Sequence, residues 1–140
     1  ISLGSDEVLS MGNIDATRDW GHAKDYVEGM YLIMNHSIAD DFVLSTGKTT
    51  SVRNFLELSA KEVNISIEWK GEGVNEIGIN LSNGKTIINI SPEFFRPAEV
   101  DVLIGDSSKA LNFLGWKPKI HIDELVSKMM KFELTKLNNS

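Results

Sequence analysis

The sequence contains no cysteine, which excludes disulfides, thiolate metal sites and a cysteine nucleophile. It has no apolar run near the roughly 18 residues that a membrane-spanning helix needs, so no membrane span is expected. No basic stretch followed by an apolar one opens the chain, so we expect no signal peptide and take the cytoplasm as the default compartment. Residue 1 is Ile rather than Met, which favours a fragment of a longer protein.

Positive charge is also scarce. The 14 Lys and Arg residues are outnumbered by 20 Asp and Glu residues, and the net charge of −6 argues against a nucleic-acid or anionic-membrane surface. One small phosphate site stays compatible with this charge, because charges beyond about 8–10 Å are screened. The chain has three arginines, Arg18, Arg53 and Arg96, and two of them lie in the motifs described below.

What the chain does contain is typical of a globular domain, with 41% apolar and 24% charged residues over 140 positions. Apolar residues at helical spacing predict helices at 21–35, for about a dozen residues after Ser51, from 106 or 107 to about 114, and at 122–137. Shorter runs predict strands at 7–11, 41–47 and 65–69, then a hairpin of 77–81 with 86–90 around Asn83-Gly84. This order of elements is that of an α/β protein.

Two of the predicted helices have an apolar face, and that of helix 122–137 should point inward. The face of helix 21–35 consists of Tyr26, Val27, Met30, Tyr31 and Met34. The face of helix 122–137 consists of Leu125, Val126, Met129, Met130 and Phe132.

Arg18 and Arg96 are candidate phosphate ligands. Arginine presents a rigid fork of donors that fits phosphate oxygens, and it stays charged at all working pH values. Two arginines from separate loops suit the two adjacent anions of a diphosphate, and both lie where loops are expected. The alternative is that they form ordinary surface salt bridges with Asp19, Glu99 or Asp101.

Glu99 follows Arg96 by three residues and suits a ribose, since a carboxylate accepts hydrogen bonds from both ribose hydroxyls. The same spacing also allows Glu99 simply to orient Arg96. His22 lies in the first turn of a predicted helix, which favours capping or packing over acid–base catalysis. The tryptophans are expected in packing rather than stacked on a base: Trp20, Trp69 and Trp116.

The chain lacks the residues of a self-sufficient nicotinamide site. Four residues after Tyr26 and Tyr31 stand Met30 and Asn35, so neither tyrosine has a lysine one helical turn away to lower its pKa. The stretch 71–76 lacks a third glycine, is acidic and precedes no helix, so no glycine-rich phosphate loop is present. We therefore expect no catalytic, cofactor-binding or metal-ligating residue here.

Two runs of sequence resemble the GDP-mannose 4,6-dehydratases. The first is Gly12-Asn-Ile-Asp-Ala-Thr-Arg-Asp-Trp-Gly-His-Ala-Lys-Asp-Tyr26, and the second is Phe95-Arg-Pro-Ala-Glu-Val-Asp101. The stretches 41–47, 51–53 and 114–118 are similar to further family motifs, the last of them shared widely by extended short-chain dehydrogenases. The resemblance covers essentially the whole chain and matches the C-terminal part of such an enzyme.

The resemblance implies the C-terminal, substrate-binding part of an extended Rossmann-type short-chain dehydrogenase, of α/β class with one β-hairpin insertion. Residues 1–140 would form the sugar-nucleotide-binding portion, and NADP would be bound by a missing N-terminal half. The parent would oxidise GDP-mannose at C4, eliminate water across C5 and C6, and return the hydride to C6. The product would be GDP-4-keto-6-deoxy-mannose, on the route to GDP-fucose and related deoxysugars.

The resemblance also implies roles for single residues. Arg18 and Arg96 would hold the diphosphate and Glu99 the ribose, while the backbone around Gly12 and Asn13 would lie along the nucleotide. The family's catalytic Thr or Ser, Glu, Tyr and Lys would lie upstream of this chain, so the fragment alone should be inactive.

Residues 21–46 would pack on the missing Rossmann half, and a homo-oligomer, dimer or tetramer, is expected for the full protein. Without that half, apolar surface should be exposed. The alternatives are another nucleotide-sugar epimerase or reductase of the same superfamily, and a non-catalytic GDP-sugar-binding remnant.

Overall fold

A computed structural model describes residues 1–96 and 103–139. The described residues form six strands and four α-helices: β1 Leu9–Met11, β2 Thr17–Asp19, α1 Ala23–Met34, β3 Thr49–Ser51, α2 Val52–Glu62, β4 Ile67–Lys70, β5 Ile77–Asn80, β6 Thr86–Ile90, α3 Ser108–Leu114 and α4 Ile122–Asn138. The chain divides into two compact units, Ile1–Ala16 with Ser51–Asp101 and Thr17–Thr50 with Val102–Ser140. None of the described helices has the length and apolarity needed to cross a membrane.

The first unit is built on a four-stranded sheet in the order β1-β6-β5-β4. The predicted hairpin is confirmed: β5 and β6 pair antiparallel, and Gly84 adopts a positive φ of 70° in the turn. β4 extends the hairpin on one side, antiparallel to β5, and β1 pairs parallel with β6 on the other. The hairpin is therefore the centre of this sheet.

The core of the first unit comes from the sheet and the segment after β1. Its buried apolar side chains are Ile14, Ala16, Ile87, Ile88 and Ile90. The predicted N-cap of α2 is confirmed, since the Ser51 hydroxyl oxygen accepts a hydrogen bond from the backbone N–H of Asn54 (3.1 Å). Trp69 of β4 donates its indole N–H to Glu57 of α2 (2.8 Å) and so links helix and sheet.

The second unit is mainly helical. Its buried apolar side chains include Trp116, which is only 2% exposed and donates its indole N–H to the Asp25 carbonyl oxygen (2.8 Å). Gly29 of α1 faces this tryptophan, and a Cβ there would lie 2.6 Å from Leu44 Cδ1. The absence of a side chain at Gly29 thus allows α1 to approach its neighbours closely. The packing role predicted for Trp116 is confirmed.

The apolar face of α1 is exposed, as expected for this chain alone, and the inward placement predicted for the face of α4 is wrong in part. In α1, Val27, Met30, Tyr31 and Met34 are all more than half exposed, and in α4 Met129 and Phe132 are exposed as well. Leu125 and Val126 of α4 are buried as expected. Helical spacing identifies an apolar face but not its partner, and no other described element covers these side chains.

The predicted strand at 41–47 is also wrong, since the described residues form no ladder there. A strand needs hydrogen bonds to a neighbouring backbone, whereas here a carboxylate side chain accepts the backbone N–H groups at the end of the run. The Asp19 carboxylate accepts the backbone N–H groups of Thr46 and Gly47 (each 3.0 Å) and the Thr46 hydroxyl (2.6 Å). The run 41–45 is thus neither paired as a strand nor buried as a whole, since Val43 is 53% exposed.

Candidate functional site

In the first unit, the loop after β1 approaches the segment after β6 closely. A Cβ on Gly12 would lie 2.3 Å from the Phe94 carbonyl oxygen, so a side chain at this position requires the backbone to move. The Ser91 backbone N–H donates to the Met11 carbonyl oxygen (2.8 Å) and joins the two segments just before this approach. The structure thus brings the predicted nucleotide-binding residues Gly12 and Asn13 next to the segment that ends in Arg96.

A small cavity of about 70 Å³ lies at this junction. Its lining combines both segments with the loop before β5: Gly12, Asn13, Ile14, Asp15, Gly73, Glu76, Ile90 and Phe95. Arg96, which follows Phe95 in the chain, is exposed. Its side chain is therefore accessible from solvent.

Arg53 is the main residue of this region to which the sequence analysis gave no role. Its Nη1 and Nη2 donate to the two carboxylate oxygens of Glu76 at 2.6 and 3.0 Å, and its Nε donates to Asp15 Oδ1 at 2.9 Å. Glu76 is buried, at 8% exposure, so the ion pair is shielded from water on that side. The hydrogen bond with Glu76 raises the pKa of Arg53 above its ordinary value, which keeps the guanidinium charged.

The backbone of α2 fixes the same loop. The backbone N–H of Arg53 donates to the Ile14 carbonyl oxygen (2.7 Å), and that of Val52 donates to the Ala16 carbonyl oxygen (3.1 Å). Within the loop, the Asn13 side-chain oxygen accepts the backbone N–H of Asp15 (3.0 Å) in a local turn. Hydrogen bonds at both ends of the loop therefore set its conformation.

Arg18 lies in β2 of the second unit and is partly buried. Its Nη1 donates to the Thr17 carbonyl oxygen (2.7 Å). Arg96 belongs to the first unit, so a diphosphate clamp made by both arginines stays a prediction. Glu99 and Asp101 lie outside the described residues, and the ribose role of Glu99 likewise stays a prediction.

His22 is the N-cap of α1, as the sequence analysis expected. Its Nδ1 accepts the backbone N–H of Lys24 (3.1 Å). Trp20 donates its indole N–H to the Thr50 carbonyl oxygen (2.9 Å), a partner within the protein. Neither residue belongs to the Gly12–Arg96 region.

Comparison with known proteins decides the family. Residues 1–129 match the family model described as GDP-mannose 4,6 dehydratase. The GDP-mannose 4,6-dehydratase of Sinorhizobium fredii is 46% identical over 140 residues, which is 100% of this chain and 40% of that protein. The chain belongs to the GDP-mannose 4,6-dehydratase family.

Eukaryotic members of the GDP-mannose 4,6-dehydratase family are equally similar. The human protein of that name is 46% identical over 130 residues, and the Drosophila melanogaster protein is 47% identical over 128 residues. These matches cover 93% and 91% of this chain but only 35% and 32% of the two relatives. The chain thus spans less than half the length of the curated relatives that it matches.

Solved structures show the same fold at lower identity. RMD of Pseudomonas aeruginosa, in complex with NADPH, has a TM-score of 0.70 at 19% identity, and the match covers 96% of this chain and 38% of RMD. A Thermotoga maritima UDP-glucose 4-epimerase with UDP-glucose has a TM-score of 0.68 at 22% identity, over 94% of this chain and 36% of the epimerase. The α/β fold predicted from the sequence is confirmed, since it matches parts of these two structures.

Proposed function

We propose that this chain is the GDP-mannose-binding portion of an NADP-dependent GDP-mannose 4,6-dehydratase. That enzyme is a lyase, which converts GDP-mannose to GDP-4-keto-6-deoxy-mannose. The observation that carries the proposal is the 46% identity over all 140 residues to a relative with this name. NADPH in the RMD structure supports a nicotinamide cofactor for the parent protein.

The geometry of the first unit supports nucleotide binding at Gly12 and Asn13. Because Gly12 has no side chain, this loop packs against Phe94, and Gly12 and Asn13 line a cavity together with Phe95, the residue before Arg96. Arg96 is exposed, and its planar fork of donors suits a phosphate. In the proposal Arg96 and Arg18 bind the diphosphate, and Glu99 binds the ribose.

Oxidation at C4, loss of water across C5 and C6, and return of the hydride to C6 belong, in this proposal, to a Rossmann half outside these 140 residues. Residues 21–46 pack on that half. The exposed apolar face of α1, which includes Tyr31 at 66% and Met34 at 84% exposure, supports this packing. The parent acts as a homo-oligomer, and the 140-residue piece alone is inactive.

Product analysis tests the proposed reaction. The full-length protein that carries this chain is incubated with GDP-mannose and NADP, and the nucleotide sugar is followed by mass spectrometry. We expect a product lighter by one water that carries a ketone, with no net consumption of NADP. An isomer of unchanged mass would instead identify an epimerase, and a product that gains two hydrogens in a parallel sample with NADPH would identify a reductase.

A further inference from the structure

Arg53 holds the candidate nucleotide loop by its backbone and by its side chain. The backbone N–H donates to the Ile14 carbonyl oxygen at 2.7 Å, and the guanidinium contacts Asp15 Oδ1 through Nε at 2.9 Å and Nη2 at 2.8 Å. Ile14 and Asp15 directly follow Gly12 and Asn13. The position of Arg53 therefore decides where the end of this loop lies.

Three contacts in turn fix the guanidinium of Arg53. The two carboxylate oxygens of Glu76 accept parallel hydrogen bonds from the guanidinium, at 2.6 and 3.0 Å. The ring of Trp69 lies 4.8 Å from the guanidinium carbon, a cation–π distance. Only arginine offers donors in a planar fork that reaches both carboxylates at once, because lysine has a single ammonium group.

The two carboxylates also border the cavity that Gly12 and Asn13 line. Asp15 and Glu76 belong to the same lining as Phe95, the residue before Arg96. A change in the guanidinium is thus transmitted to the walls of the cavity through two short ion pairs. The Gly12–Asp15 segment follows β1 without regular pairing of its own, so these bonds, the local Asn13 turn and the approach to Phe94 set its conformation.

We propose that Arg53 is a positioning residue for nucleotide binding, which holds the Gly12–Asp15 loop in the conformation that contacts the nucleotide of the substrate. The proposal rests on the function proposed above. It adds that nucleotide affinity depends on a residue that does not itself touch the nucleotide. Arg53 acts through Asp15 and the Ile14 carbonyl, and Glu76 holds Arg53 in place.

The test uses the full-length protein with Arg53→Lys, which keeps the charge and removes the fork. Calorimetry gives the Kd of GDP, and steady-state kinetics give KM and kcat for GDP-mannose. We expect Kd and KM to rise about tenfold, the effect of losing a charge-assisted bond, with kcat within about twofold of the unsubstituted protein. The loop contacts the nucleotide equally before and during reaction, so the loss should appear in KM alone.

Two further variants separate positioning from general destabilisation. Glu76→Gln keeps the shape of the side chain but removes its charge and so weakens its hydrogen bonds with Arg53. It should raise the Kd of GDP about threefold. This variant carries the test if Arg53→Lys does not fold. Lys85→Met breaks an exposed ion pair with Asp6 in the same unit and should leave the Kd unchanged.

The outcomes distinguish the two proposals. Unchanged GDP affinity in both Arg53→Lys and Glu76→Gln overturns the role of Arg53, and so does a fall in kcat without a change in Kd. An equal loss of affinity in Lys85→Met overturns it as well. If the unsubstituted protein binds neither GDP nor GDP-mannose, the proposed function fails first and the inference fails with it.

Discussion

At the scale of single residues, the candidate site depends on one position that has no side chain. Gly12 lies so close to the Phe94 carbonyl oxygen that a methyl group would come to 2.3 Å. The two segments can therefore meet only through backbone, which brings Gly12 and Asn13 next to the segment that ends in Arg96. Arg96 is exposed, which suits a ligand for phosphate.

Arg96→Ala in the full-length protein should weaken GDP-mannose binding by roughly 1.5–3 kcal/mol, the scale of a hydrogen bond to a charged group. Arg96→Lys should restore binding only in part, because the charge returns without the fork. Isothermal calorimetry measures both values. Lys70→Ala removes an equal charge from an exposed position of the same unit and serves as control; affinity that is the same in Arg96→Ala as in this control would contradict the clamp.

At the scale of elements, the sequence predicted those features whose causes are local. Ser51 as an N-cap and Asn83-Gly84 as a turn are both observed. Each depends on the backbone preferences of one to three residues. Pairing over long distances was not predictable, because the parallel contact of β1 with β6 and the unpaired run at 41–47 depend on partners that no local pattern specifies.

The same distinction applies to the candidate site: residues in recognisable sequence runs were predicted, and a residue defined by distant contacts was not. Gly12, Asn13 and Arg96 were identified because they lie in runs that resemble a known family. Arg53 was not, since its importance comes from carboxylates at Asp15 and Glu76 that are distant in sequence. The scarcity of arginine was the one available signal, and it drew attention to Arg53 without giving it a role.

Within the second unit, Asp25 ties α1 to the segment that leads into α4. One oxygen of its buried carboxylate accepts the backbone N–H groups of Lys119 (2.9 Å) and Ile120 (3.0 Å). Burial raises the pKa of Asp25, but these hydrogen bonds outweigh burial and the net effect lowers the pKa below the ordinary 3.8. The ionised form therefore stabilises the fold at neutral pH.

Asp25→Asn should lower the free energy of unfolding by about 1–3 kcal/mol at pH 7, since a charged acceptor of two hydrogen bonds is lost. A lowered folded-state pKa gives stability that is complete above the ordinary pKa and is lost as the pH falls through the folded value. The variant should therefore lose less stability than the unsubstituted protein between about pH 6 and pH 3. Thermal unfolding at both pH values checks this expectation.

Glu124→Gln, at an exposed surface ion pair with Lys128, provides the matched control for Asp25→Asn. It removes the same charge without removing a buried acceptor, so it should change stability little at either pH. Parallel acid profiles for Asp25→Asn and the unsubstituted protein would show that the carboxylate does not stabilise this connection.

At the scale of the whole molecule, the second unit exposes more apolar surface than its own packing explains. One face of α1 presents Val27 at 62%, Met30 at 56%, Tyr31 at 66% and Met34 at 84% exposure. A contiguous apolar patch of this kind is typical of a contact surface rather than of a solvated face. It fits the proposal that this helix packs on a Rossmann half.

The isolated 140-residue chain should therefore self-associate or aggregate at micromolar concentration. Sedimentation velocity checks this, and a clean monomer would refute it. Charged substitution of the patch, Met30→Lys with Tyr31→Lys, should reduce the association because it disrupts the apolar face. The same added charge at Ser37 and Asn112, which are exposed polar positions, should not.

The parallel pairing of β1 with β6 also affects when the candidate site can form during synthesis on the ribosome. Leu9 cannot pair in the sheet until its partner Ile88 has been synthesised. At roughly 5–20 residues per second, this takes several seconds. Until then Gly12 and Asn13 follow a strand without a neighbour. The candidate nucleotide loop is thus completed only after the hairpin has been translated, well after its own residues have been synthesised.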